Sequence, residues 1–193
     1  PGTSEDIRKV LQVNNQADQE EGSYQFVTVG VKHARLVDLV YAWLTPFTDI
    51  RSAKEMTGGS SDAEFMRINQ FYMETSQNMA KYQGLKSAGK EIELKYLGVY
   101  VLTVTDNSTF KGILNIADTV TAVNDKTFES SKEMVDYVNS QTLGDKVKVT
   151  YQEDGKVKTA EGKIITLENG KNGIGIGLID RTEVSSDVPI KFS

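Results

Sequence analysis

"YLGVYVLTVTDNSTFKGILNIADTVTAVND", Tyr96–Asp125, is the stretch on which the fold turns. Its opening is rich in Val, Tyr and Leu and predicts a strand over Tyr100–Thr105. Gly98 stands just before it, and a glycine there marks a bulge or a close backbone approach. A turn, a short helical element and a second strand, Thr119–Val123, follow, ending at Asn124-Asp125. Beyond it, Ser130 and Glu133 have the S-x-x-E spacing of a capping box, ahead of a short helix with Met134, Val135 and Val138 as its apolar residues. Gly144-Asp145 ends that helix. The runs Lys146–Tyr151 and Val157–Lys163 flank Asp154-Gly155, a strong hairpin signal.

These elements predict a groove. With strand Tyr100–Thr105 beside the short helix, an open strand edge offers N–H and C=O groups to an extended peptide, which adds as another strand. Amides near Gly98 and Val99 would meet a terminal carboxylate, each charge-assisted bond contributing roughly 1.5–3 kcal/mol. Gly98 suits that role because no Cβ blocks the approach. The expected peptide-binding residues are therefore Leu97, Gly98, Val99, Tyr100 and Val101, with Met134, Val135 and Val138 shaping the pocket for the last side chain.

The same residues resemble PDZ domains. "YLGVYV" at 96–101 is similar to their ΦGΦ carboxylate-binding loop, and 107–125 to their bacterial "SPAxxAGLxxGDxIxxVNG" block. "SSKEMVDYVNS" at 130–140 is similar to their groove helix. The resemblance implies an α+β fold, a PDZ-like partly open β-barrel or sandwich with a groove helix, over 96–164. It also implies an extended peptide or a protein C-terminus as partner. Ala117 stands where the pattern has glycine, which sets the expectation of a negative φ there.

Upstream, Ile7–Val13 reads as a short strand, "NNQADQEEG" (14–22) as a polar loop, and Ser23–Val31 as a strand by period-2 alternation. Leu36, Leu39, Val40, Trp43 and Leu44 fall at helical spacing up to Pro46. After a flexible "TGGS", Ser61 and Glu64 cap a long helix. Its expected stripe is Phe65, Ile68, Tyr72, Thr75, Met79 and Tyr82, widened by Phe71 and Leu85 and closed by Gly89. Downstream, Gly173, Gly175 and Gly177 alternate with Ile174, Ile176 and Leu178, as if one glycine face of a strand let another element pack flat. A phosphate-cradling role lacks the GxGxxG or Lys-Ser/Thr pattern.

The flanks, "GSYQFVTVGV", "METSQNMAKYQGLKSAGKE" and "GKNGIGIGLIDRTEVSSDVPIKF", resemble the membrane-anchored Lon-like serine–lysine peptidases that carry a PDZ domain, the YlbL- or SepM-like group of streptococcal type. That resemblance implies a parent with an N-terminal membrane helix missing here, a body on the extracellular face of the membrane, and cleavage of a secreted signalling peptide. It implies a catalytic Ser in a G-G-P-S-A-G motif and a Lys base, neither within this chain, so no catalytic residue is assigned and the fragment alone is expected to be inactive. The expected domains are 1–95, the strand–helix part of the Lon-like domain; 96–164, an inserted PDZ domain; and 165–193, strands leading to the absent catalytic segment and packing with 1–95. The alternative is a non-enzymatic PDZ adaptor binding protein C-termini.

Composition narrows the classes. The net charge of −5 and the lack of a basic stripe argue against nucleic acid. With no cysteine there is no thiol nucleophile or Cys-ligated zinc. His33 is the only histidine, so neither a His-based triad nor a metal site is expected, and no cofactor. The longest apolar run, Leu36–Leu44, is interrupted by Asp38 and falls far short of the ~20 residues of a membrane span.

Overall fold

The computed structural model describes residues 2–45, 48–57 and 60–192. Pro46, Gly58, Gly59 and Ser193 lie outside the described residues, and with them the expected helix stop, the glycines of "TGGS" and the chain end. The chain forms two compact units: one from residues up to 60 and from 186 onward, the other from 61 to 185.

The first unit contains β1 (Ser4–Asp6), β2 (Leu11–Val13), β3 (Gln25–Val27), α1 (Leu36–Leu44) and α2 (Ala53–Thr57). The second contains α3 (Asp62–Ser87), β4 (Glu93–Val104), β5 (Thr119–Val123), α4 (Ser131–Asn139), β6 (Lys146–Glu153), β7 (Lys156–Lys163), β8 (Ile165–Thr166), β9 (Asn172–Gly173) and β10 (Ile176–Ser185). β11 (Ile190–Phe192) returns to the first unit.

In the first unit β1 pairs antiparallel with β3, and β2 with β11. The strand expected over 23–31 is only Gln25–Val27, because its partner β1 is three residues long and the ladder ends with it. Val29 and Val31 are left exposed. The strand expected over 7–13 is split. Asp6 accepts from the Arg8 amide and caps a 3-10 turn, Ile7–Lys9, so only Leu11–Val13 is extended. His33 is exposed.

The second unit is an open, antiparallel five-stranded sheet in the order β10-β4-β5-β6-β7, not closed into a barrel. Alternation along β4 separates two cores. Val99 and Val101 face α4 and pack with Phe110, Val120, Met134 and Val138. Tyr100 and Leu102 face α3, where the Phe71 ring stacks on Tyr100 with centroids 3.9 Å apart. This contact fixes the roll of α3. Its buried residues are Phe71 and Leu85, while Tyr72 and Met79 of the expected stripe are exposed. The Ser61–Glu64 capping box is present, and Gly89 has φ +67° beyond the last turn. At α4, Ser130 accepts from the Glu133 amide, but the Glu133 carboxylate reaches the Glu129 amide instead of closing the box.

Between β4 and β5 the expected helical element is a succession of turns gathered around the fully buried Phe110. Ala117 corrects the expectation of negative φ: it sits at +85°. The turn Asn115–Asp118 is closed by the Asp118 amide on the Asn115 carbonyl and by the Asn115 amide on Asp118 Oδ2, while the Ala117 amide donates to the Val101 carbonyl. These three bonds hold the third turn position left-handed, where alanine costs roughly 1–2 kcal/mol relative to glycine. The Asp154-Gly155 hairpin forms as expected, both residues having positive φ.

The glycine alternation at 173–177 is not one strand. β9 ends at Gly173, Gly175 turns at φ +72°, and β10 begins at Ile176. The compact second unit, 61–185, contains 96–164 together with α3, packed on Tyr100, and β10, paired with β4.

Candidate functional site

The strand expected to offer an open edge is interior. Val99 is paired with Asp180 on one side and Val120 on the other, and Tyr100 with Ile179 and Thr119. The Val101 amide donates to the Asp118 carbonyl, and its own carbonyl accepts from Ala117. No edge remains on Val99, Tyr100 or Val101 for a guest strand, while Gly98 is paired with Arg181 and Leu97 falls at the register shift beside it. Gly98 is required for a close approach, but to the chain itself. At φ +128°, a Cβ built on it falls 2.2 Å from the Val120 carbonyl oxygen. Met134 and Val138 share the core with Val99 and Val101, whereas Val135 is exposed. Tyr100 points to the opposite face, its hydroxyl donating to the Glu74 carboxylate and the Arg181 guanidinium lying 5.3 Å from its ring centre.

The sheet edge beside α4 belongs to β10, one of the two end strands, with β7 the other. Its direction relative to α4 is set at two points. The Ser131 amide, at the helix start, donates to Asp180 Oδ1 at 3.1 Å, and Asn172 Nδ2 donates to the Gln141 carbonyl, just past the helix end, at 2.8 Å. Strand and helix therefore run side by side in opposite directions. Helical periodicity puts Val135 and Val138 on the Ser131 side. Ile176 and Leu178 of β10 pack against the same core as Met134 and Val138.

The entry to β10 is held from behind. Ser108, itself buried, donates its hydroxyl to the Ile174 carbonyl at 2.6 Å and accepts from the Phe110 amide at 3.1 Å. The Thr105 amide and hydroxyl both donate to the Gly175 carbonyl, at 2.8 and 3.1 Å. Across a trans peptide, the carbonyl of one residue and the amide of the next point in opposite directions. Tying down these two carbonyls therefore turns the Gly175 and Ile176 amides away from the 105–108 turn. Two successive amides around a left-handed residue form a concavity suited to an anion. The chemistry available is a pair of main-chain donors for a carboxylate, a strand edge beyond them, and an apolar wall from Ile176, Leu178 and Val135.

Charge shifts lie at the far end of this strand. Burial, with Asp180 and Glu133 nearby, pushes the Tyr96 phenol well above its ordinary range. The Tyr96 hydroxyl and the Oγ1 of its cross-strand partner Thr182 are buried without a hydrogen-bond partner. No cluster of metal-binding side chains occurs among the described residues.

Sequence reasoning missed Ile174, Gly175, Ile176, Leu178, Asp180 and Ser131 as a group. The usable signal was the G-Ile-G-Ile spacing at 173–176 directly before an alternating run. By sequence alone the same spacing reads as a packing face or, weakly, a phosphate loop.

An edge strand entered by a glycine turn beside a helix is an arrangement to which an extended peptide can add as a further strand. The PDZ domain family matches residues 68–164, about half of the chain, and the chain belongs to that family. Similar solved structures include the PDZ domain of an SdrC-like protein of Listeria monocytogenes, at 35% identity over 45% of this chain and 93% of that one, with a TM-score of 0.43. The PDZ domain of an SdrC-like protein of Listeria innocua is 38% identical over 42% of this chain and 92% of that one, with a TM-score of 0.40. A protein of Geobacillus thermodenitrificans is 30% identical over 42% of this chain and 94% of that one, with a TM-score of 0.38. No curated protein matches the chain. PDZ domains generally bind peptide C-termini. No helix among the described residues is long and apolar enough to cross a membrane.

Proposed function

We propose that the second unit binds the free C-terminus of an extended peptide on the outer edge of β10. The terminal carboxylate accepts from the Gly175 and Ile176 amides. The last side chain lies against Ile176, Leu178 and Val135, with Met134 and Val138 as the floor. The observation that carries this reading is the pair of carbonyls, Ile174 and Gly175, tied back by Ser108 and Thr105 so that the following amides face outward. Its test is a titration of one peptide ending in an apolar residue, as the free acid and as the amide. The acid is expected to bind at least about tenfold more tightly, since one charge-assisted bond contributes ~1.5–3 kcal/mol. Equal affinities would remove the carboxylate from the account.

The proposed context is a membrane-anchored Lon-like serine–lysine peptidase acting at the extracellular face on a secreted signalling peptide. It rests on the resemblance of the flanking sequences and on the order of the chain, in which the second unit is interposed between residues up to 60 and those from 186. A tethered substrate gains effective concentration, about mM for a short linker. In the parent protein, endopeptidase activity is expected, slowed by an excess of the free-acid peptide and not by the amide. A parent protein that binds the peptide and hydrolyses none is the adaptor.

A further inference from the structure

The outer edge of β10 is not open along its whole length. Thr75 Oγ1 donates to the Asp180 carbonyl at 3.0 Å, and Asn78 Nδ2 donates to the Thr182 carbonyl at 2.8 Å. Both donors come from one face of α3, three residues apart, in the helix seated by Phe71 on Tyr100. Main-chain groups alternate between the two edges of a strand. The Gly175 carbonyl faces β4, where it meets the Thr105 amide, so the main-chain groups of Ile176, Leu178, Asp180 and Thr182 share the outer edge. Of these four, the last two carbonyls are occupied by side chains standing where a guest strand's amides would be. At Asp180 the side chain is held as well, by the Ser131 amide. Thr182 is 8% exposed, so this end of the edge is covered in the folded protein.

We infer that α3 fixes the length of peptide the groove can read, Thr75 and Asn78 acting as a stop that ends the guest ladder at Leu178. This rests on the peptide-binding reading of β10. An antiparallel guest with its carboxylate on the Gly175 and Ile176 amides pairs its last residue with Ile176 and its third from last with Leu178. The fifth from last would need the Asp180 carbonyl, which Thr75 holds. The ladder therefore covers about four residues. Residues upstream must leave the edge, so specificity is confined to the last four positions.

The test is a series of peptides of three to eight residues with a common C-terminal sequence, as free acids and, for the four- and eight-residue members, also as amides, titrated into the protein and into the Thr75→Ala/Asn78→Ala double variant, whose shorter side chains vacate the edge. In the unaltered protein, affinity is expected to rise up to four residues and to change less than about twofold from four to eight. In the double variant, the eight-residue peptide is expected to gain about five- to tenfold over the four-residue one, as released carbonyls accept guest amides. A steady rise from four to eight residues in the unaltered protein overturns the stop, and that arm needs no variant to fold. Equal gains for free-acid and amidated peptides overturn the carboxylate reading beneath it, so the two failures are distinguishable.

Discussion

Gly98→Ala is expected to lower the stability of the second unit by about 3–5 kcal/mol, the sum of a left-handed alanine and a backbone overlap. The added methyl lies 2.2 Å from the Val120 carbonyl oxygen, 3.1 Å from its carbon and 3.3 Å from Thr119 Cγ2. Two of those atoms are main chain and cannot swing aside. β5, which carries them, is pinned on its far side by β6, with Val120 opposite Tyr151. Retreat by β4 is blocked by β10, with Arg181 opposite Gly98. Urea denaturation of the peptide-free protein reads the loss as a lower midpoint at unchanged slope. A loss below about 1 kcal/mol would show that Gly98 is dispensable to the sheet.

The second large effect is on binding. Gly175→Ala is expected to weaken a free-acid peptide about a hundredfold while lowering stability by about 1–3 kcal/mol. The methyl falls 2.4 Å from Thr105 Oγ1 and 2.9 Å from Ser108 Cβ. Those residues hold the Gly175 and Ile174 carbonyls, so relieving the overlap re-aims the amides between them. Gly170→Ala is the control. Its φ of +77° imposes a comparable backbone cost, but a Cβ there has nothing within 4 Å. It should lower stability and leave affinity unchanged. If both variants bind as the unaltered protein does, the Gly175 turn is not the carboxylate site.

Local signals predicted much of the second unit. The Asp154-Gly155 turn, the Ser61 cap, the apolar residues of α4 and the Thr119–Val123 run each depend on neighbours within a few positions, and each forms. What the chain does at long range was not legible. Whether strand 100–105 had a free edge depended on β10, whose entry is bonded to Thr105 across 70 residues. A glycine that accommodates a ligand and one that accommodates a neighbouring strand look alike in sequence, so the carboxylate role falls on Gly98 by sequence and is proposed for Gly175 only once the strand pairing is known. Ala117 misled for a related reason: three turn hydrogen bonds override its intrinsic preference, and none is visible in residue type. The roll of α3 was hidden as well, since both Tyr72 and Phe71 suit an apolar stripe and only the Tyr100 ring selects between them.

Because β10 is the last strand of its sheet in chain order, the ribosome delivers the proposed peptide-binding edge after the rest of the sheet. At about 5–20 residues per second, β4 through β7 emerge seconds before β10 arrives. During that interval the nascent sheet presents the flank of β4, an unprotected template for any extended segment nearby. The chain's own β10 is the first strand it captures, so completion of this sheet and the proposed peptide binding are successive uses of the same kind of strand addition.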